Sequence, residues 1–325
     1  MSANKTGLVV LYNHNYEKNI EKINRIYKDR FPEMRQIMPF YYGNDPEVIR
    51  VFGNSFYFQT YIAQACEKLM EMDCDSFLII GDDLLLNPEF NESNVHERLR
   101  MTRDEFYLDG AVEISKGDHI RAVEEAQKID MHHPGLDRSA SRIVPGFAEA
   151  RDILQRRGVL NSTSLSAHKP LLLKWRSPFW ANLRTNLGYT KSNVYQHLLS
   201  LSYRLMPRKM VYPCVFGYSD IIVVPRAKMR ELCDFLEVFA TWRMFVELAI
   251  PTAVMLLKDS KIKFLDENTF KSGNVWYPNT MEHHERINAI IENTIAKAEG
   301  QIQRLPEAFP REYLYLHPVK LSMLS

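Results

Sequence analysis

Apolar and polar positions along this chain fall into blocks of strand and helix length. "GLVVLY" (7–12) is a continuous apolar run of strand length, closed by the polar "NHN". Tyr16, Ile20, Ile23 and Tyr27 share one helical face and predict a helix over about 16–31. "MRQIMPFYY" and "VIRVFGN" read as two further strands. Phe58, Tyr61, Ile62, Ala65, Cys66, Leu69 and Met70 then recur at helical spacing, which predicts a buried stripe on the clearest helix of the sequence. The strand "SFLII" follows and runs straight into Asp82 and Asp83.

Strand and helix alternate through this first third, so the fold class is α/β, a sheet with helices packed on its faces. Between about 90 and 205 the pattern changes. "HIRAVEEAQKI" and "GFAEARDILQRRG" are helical, strand alternation is lost, and the stretch reads as a helical, basic elaboration within a single domain over 1–325. "MVYPCVFGYSDIIVVP" restores the sheet, with two β-rich runs around the turn "GYSD". Two helices, "KMRELCDFLEVFA" and "MFVELAIPTAVML", and a charged helix near 282–304 follow. The closing "YLYLHPVKLS" is too apolar for a frayed end.

Composition changes this picture little. With 46% hydrophobic residues in 325, the chain can bury a substantial core. "MFVELAIPTAVMLL" is broken by Glu247 and Pro251, no run reaches bilayer length, and no signal pattern opens the chain, so a cytoplasmic location is expected. Cys66, Cys74, Cys214 and Cys233 form neither a CxxC nor a zinc spacing and read as reduced core thiols. Charge matters more. The net value is +1, yet residues 153–219 hold ten Lys and Arg and no Asp or Glu. Such a basic face predicts attraction to phosphates or to the inner surface of an anionic membrane.

Two adjacent carboxylates at a strand exit repel each other, and a hard divalent cation relieves that repulsion. Turn capping is the structural alternative for Asp82 and Asp83. A polymerase also uses GDD, but it needs a palm domain and more chain than this. In an open α/β sheet ligands gather beyond the carboxyl ends of strands, where both "NHN" and "GDD" would lie. Tyr12 and Asn13 could meet a nucleotide there, with Asn54 and Ser55 beside it, although Tyr12 fits sheet packing equally. His132 and His133 look like a metal pair but, being adjacent, rarely face one cation together. "KPLLLKWRSPFW" (169–180) suits a membrane interface, an acceptor groove or plain core packing.

An early nucleotide-type strand, an acidic pair after a later strand, and a C-terminal His317 shortly before Lys320 together resemble the GT-A glycosyltransferases, which use nucleotide-sugar donors. The resemblance implies a Rossmann-related mixed sheet and Mn2+ or Mg2+ held against the donor diphosphate by an acidic motif usually written DxD. Gly81-Asp82-Asp83 lacks the first acid of that motif, which makes Asp83 the expected direct ligand and leaves Asp82 to the ribose, the sugar or a bridging water. His317 is expected to complete the metal shell and Lys320 to contact the diphosphate. The family's catalytic acid opens a helix, often as xED. Here the comparable residue is Glu247 in Val-Glu-Leu, with Asp220 as its rival for contact with sugar or acceptor hydroxyls.

"HPVKLS" further resembles transferases that build bacterial lipopolysaccharide or capsule. The implied activity is transfer of a sugar, UDP-linked in expectation, to a growing glycan. The basic region adds a lipid-linked acceptor and peripheral contact with the membrane's inner face, and no nucleic-acid partner is implied. Under inversion Glu247 deprotonates the acceptor; under retention its role differs, and the sequence does not decide. The alternatives are a nucleotidyltransferase, although "NHNYEKN" lacks the Gly-rich loop, and a non-catalytic nucleotide-sugar-binding protein.

Overall fold

The computed structural model describes residues 4–114, 120–131, 140, 142–165, 208–278 and 280–325. Among these, seven strands form one sheet: β1 (Thr6–Leu11), β2 (Met34–Pro39), β3 (Val48–Val51), β4 (Ser76–Gly81), β5 (Glu105–Leu108), β6 (Ile221–Pro225) and β7 (Lys261–Phe264). Their spatial order is β7-β5-β6-β4-β1-β2-β3. β6 runs antiparallel to both its neighbours, β4 and β5, and every other pairing is parallel. The fold is therefore α/β with a mostly parallel sheet, compatible with a Rossmann-like architecture.

Period-two alternation decides which side chain faces which layer. Val9, Leu11, Ile37, Ile79 and Ile222 point into one core. That core is shared with α2 (Gln59–Met70), α3 (Ile120–Gln127), α4 (Phe147–Arg156), α5 (Met229–Thr241) and α6 (Val246–Leu256). Leu8, Val10, Met38, Leu78 and Ile80 point the other way. They meet Ile23 and Tyr27 of α1 (Ile20–Tyr27), Ile287 and Ile291 of α7 (Met281–Lys297) and the C-terminal residues 313–316. Because both faces are covered, the central strands are apolar throughout rather than alternating.

The C-terminal segment reaches the sheet through a second, two-stranded ladder. Tyr315–Leu316 pairs antiparallel with Leu85–Leu86, directly after the acidic pair. Asn87, fully buried, ties the two together: its side-chain amide donates to the carbonyls of Tyr313 (2.8 Å) and Arg311 (3.0 Å). Asn87→Ala strands both carbonyls, and urea unfolding should register a loss of about 1–3 kcal/mol. An unchanged midpoint would mean that the apolar packing of Tyr315 and Leu316 alone holds the segment.

Several expectations need correction. The strand over 34–42 stops at Pro39 because Phe40 adopts a left-handed φ of 54°, which breaks the ladder. Residues 210–216 carry no strand, only an isolated bridge from Phe216 to Val112. The charged helix ends at Lys297 rather than near 304, since Glu299 and Gly300 both take positive φ. The stretch 90–205 is not purely helical: it donates β5, whose four residues are too short for period to reveal. β7, "KIKF", is an equally short edge strand. His132, His133, the 169–180 segment and most of the basic stretch 153–219 lie outside the described residues. No described helix is long and apolar enough to cross a membrane.

Candidate active site

Topology places four acids on one edge of the sheet. Asp82 and Asp83 follow the end of β4, Asp109 follows the end of β5, and Asp220 precedes β6, which enters from that same edge because it is antiparallel. The chain order switches between the parallel neighbours β1 and β4, with β2 and β3 on one side and the later strands on the other, and ligands collect beyond the carboxyl ends of strands at such a switch. Backbone bonds fix the register: Gly81 N–H donates to the Asp220 carbonyl (3.0 Å) and Asp82 N–H to that of Leu11 (2.8 Å).

The C-terminal segment meets the acidic pair here. His317 Nε2 lies 3.1 Å from Asp83 Oδ1, a pair 234 positions apart in sequence. Val319 N–H donates to the Asp83 carbonyl (2.7 Å), and His317 N–H to that of Gly273 (3.0 Å). The last contact demands a glycine, because a Cβ at 273 would sit 1.8 Å from the Tyr315 carbonyl oxygen. Tyr218 stacks on Tyr315 with ring centres 5.6 Å apart and packs edge-on against His317, so its ring bridges the two. Its Nδ1 is buried with no hydrogen-bond partner, so no second bond locks the tautomer.

Glu247 sits in the first turn of α6, where the helix N-terminus favours an anion. Pro251, four residues on, lacks the N–H that would bond the Glu247 carbonyl. That carbonyl instead accepts from Gly217 N–H at 2.9 Å, docking the "GYSD" loop on the helix. A Cβ at 217 would lie 2.2 Å from the Gly110 carbonyl oxygen. Gly217→Ala must displace this loop and Asp220 with it. The expected result is a loss of about 1–3 kcal/mol in chemical denaturation, and retention of full stability would show that the loop yields freely.

Burial works against four acids of the crevice. It pushes Asp220 and Asp109 up to about 6, opposed for Asp220 by the charge of His317 and for Asp109 by hydrogen bonds from Tyr315 and Ser272. Asp82 rises to about 7 through burial and the neighbouring Asp83. Glu247 rises to about 8 through burial and Asp220, although Arg121 pulls it down. For His317 burial disfavours the imidazolium, but the Asp83 bond and the charges of Asp220 and Glu247 outweigh it and raise the pKa. Acids held above their ordinary range in a cleft are a mark of functional sites.

No protein-family model matches this chain, and no curated protein does either. The site must be read from its own geometry.

Two cavities meet at Asp83. One, of about 870 Å3, is walled by residues 13–19, Ser55, Asp82, Lys22 and Lys320. The other, of about 700 Å3, is walled by Asp109, Asp220, Glu247, His317, Phe56 and Trp276 among others. Asn13, Ser55 and Asp83 line both. Asn13 N–H also donates to Asp82 Oδ1 (3.1 Å), which holds the first acid of the pair inward.

Two sequence candidates are misplaced. Tyr12 is wholly buried and bonds Gln36 Oε1 (2.5 Å), so its ring belongs to the core and cannot stack on a base. Asn54 caps a 3-10 turn by accepting from Phe56 N–H (3.1 Å) and lines neither cavity; its neighbour Ser55 takes that position. Asp109, Arg121 and Trp276 escaped sequence reading. Asp109 had a readable signal, since "EFYLDG" repeats the strand-then-Asp form of "IIGDD". Arg121 had none: its guanidinium lies about 5 Å from the ring centres of both Phe56 and Phe245, partners distant in sequence.

Proposed function

We propose that this protein is a divalent-metal-dependent glycosyltransferase of GT-A type, moving a sugar from a nucleotide-diphosphate donor, UDP-linked, to a glycan acceptor. The observation that carries the reading is the meeting of Asp83 and His317 at 3.1 Å where two cavities join, one of them lined by Lys18, Lys22 and Lys320 as well as by Glu17 and the acidic pair. The mixed sheet, with the order of its strands switching between β1 and β4, agrees with it.

The residues fit a hard cation in part. Asp83 Oδ1 and His317 Nε2, 3.1 Å apart, would offer one oxygen and one nitrogen donor to such an ion. Among the described residues no group of three or more His, Cys, Asp or Glu side chains could hold a metal. Asp83 and His317 would therefore hold Mn2+ or Mg2+ jointly with the donor diphosphate and water. When bound, the cation supplies charge neutralisation at the diphosphate.

The chain's own groups divide the remaining work. Lys320, exposed on the wall of the larger cavity, offers an ammonium to the leaving nucleoside diphosphate. Asn13 and Ser55 border the donor on the same side, and Asp82 keeps Asn13 in place. Glu247 accepts the proton of the acceptor hydroxyl in an inverting reaction, and Asp220 orients that hydroxyl. The bacterial surface-polysaccharide setting, which rests on the resemblance of "HPVKLS", and the lipid-linked acceptor, which rests on the basic composition of 153–219, belong to this proposal. Co-sedimentation with anionic vesicles at low salt is expected, and its absence would remove the membrane component.

The direct test is thermal stabilisation by nucleotide sugars with and without Mn2+, because a ligand that selects the folded state raises its melting temperature. Stabilisation by a UDP-sugar only with Mn2+ supports the reading; indifference to every nucleotide and metal sinks it. Lys320→Ala should weaken UDP-sugar affinity about three- to tenfold by calorimetry, with a shallower salt dependence than the parent.

A further inference from the structure

We infer that the smaller, acidic cavity is a binding subsite for a neutral pyranose, held at one edge by Asp109 and on one face by the Trp276–Tyr277 loop. The inference rests on the sugar-transfer reading and assigns that reaction's acceptor to particular residues. It begins from a half-used carboxylate. Asp109 Oδ2 accepts from Tyr315 Oη (2.6 Å) and Ser272 Oγ (3.2 Å), whereas its Oδ1 is buried without any hydrogen-bond partner. A buried acceptor left unmatched is costly, and here it belongs to a residue lining the cavity, where a ligand hydroxyl can satisfy it.

The same network builds a second part of the lining. Asn274, fully buried, donates from Nδ2 to Ser272 Oγ (2.7 Å) and accepts at Oδ1 from Tyr277 N–H (2.6 Å). Its carbonyl is bonded by His283 Nε2 (2.7 Å). The atoms that lock Asp109 therefore also set the loop that carries Trp276 and Tyr277. These two rings line the cavity and are 56% and 42% exposed, with Trp276 edge-on to His284.

Charge chooses the ligand. Asp83, Asp109, Asp220 and Glu247 face this cavity against a single Arg or Lys, Arg121, among its lining residues. Such carboxyl groups, ionised or protonated, exchange hydrogen bonds with neutral hydroxyls. A pyranose suits both walls: its hydroxyls are neutral donors for a carboxylate oxygen, and its C–H face packs on an indole.

The experiment is saturation-transfer NMR with the methyl glycosides of glucose, galactose, mannose and N-acetylglucosamine, on the parent chain and on Asp109→Asn and Trp276→Ala. Stabilisation by UDP with Mn2+ is measured on the same samples. Trp276 is exposed, so its removal leaves the core intact. The expected result is transfer to ring C–H protons of at least one glycoside, weakened about tenfold in each variant, with the UDP–Mn2+ effect unchanged. Glycoside binding that ignores both substitutions overturns the inference. So does a UDP–Mn2+ effect lost in Trp276→Ala, which would make the ring a nucleobase platform, and so does a parent that UDP–Mn2+ stabilises but no glycoside touches. Glycoside binding that depends on Asp109 and Trp276 in a protein indifferent to UDP–Mn2+ upholds the sugar subsite and removes the transferase reading instead.

Discussion

Replacing Glu247 with Gln is expected to lower kcat by about two to four orders of magnitude while raising the stability of the protein at alkaline pH. Both effects come from one buried carboxyl. A base acts only when ionised, and burial beside Asp220 keeps Glu247 protonated up to about pH 8. Activity of the parent chain should thus climb with pH and level off above that value. Stability moves the other way. Below pH 4.5, the ordinary value for this side chain, folded and unfolded chains both hold the proton and the residue is neutral. Between 4.5 and about 8 the unfolded chain releases a proton that the native state retains, so stability falls as pH rises; above 8 the cost stays constant. Gln carries no such cost. Melting curves across this range should show a flatter pH dependence for Glu247→Gln and a higher melting temperature at pH 9, by about 2–4 °C for each kcal/mol recovered. A variant that keeps the parent's pH slope, or keeps its activity, would show that Glu247 is ordinary structure.

Asp83→Ala should remove metal-dependent donor turnover by about two to three orders of magnitude, because it deletes one of two candidate ligands and leaves the imidazole as the only one. Asp83→Asn is the sharper test. It preserves size and one carbonyl oxygen, so a comparable loss in Asn assigns the effect to charge. The readout is UDP release from a UDP-sugar as a function of Mn2+ concentration. Loss of Mn2+ dependence in both variants, with the fold intact by circular dichroism, is the expected outcome. Equal Mn2+ dependence in parent and variants would place the cation elsewhere and dissolve the proposed centre.

The acids were legible for a physical reason. An apolar strand that runs into Asp82 and Asp83 marks where a buried run meets charge; in the structure Asp82 is itself buried and Asp83 alone is half-exposed, because residues 84–87 return to the core. Glu247 was legible as a lone charge on an apolar helix. Tyr12 misled because an aromatic at a strand exit looks the same in sequence whether its ring turns to the ligand or to the core; Gln36, on the neighbouring strand, decided it. Asn54 misled in the same way, since its short side chain is spent on a local cap. β5 and β7 went unread because four residues carry too little periodicity to separate strand from loop.

By itself the sequence determined the layer architecture: period-two and period-3.6 patterns are local, and each element must bury its apolar face against another. It also determined the stock of ionisable groups. Only tertiary structure decided which of them share a site. The reversed strand β6 brought Asp220 beside Gly81, the ladder between residues 85–86 and 315–316 brought His317 to Asp83, and the exposed Trp276 came to face the crevice through a network anchored on Asp109. These contacts join residues far apart along the chain. No local pattern encodes them, because they are set by how the strands are ordered in the sheet and by where the last segment of the chain docks.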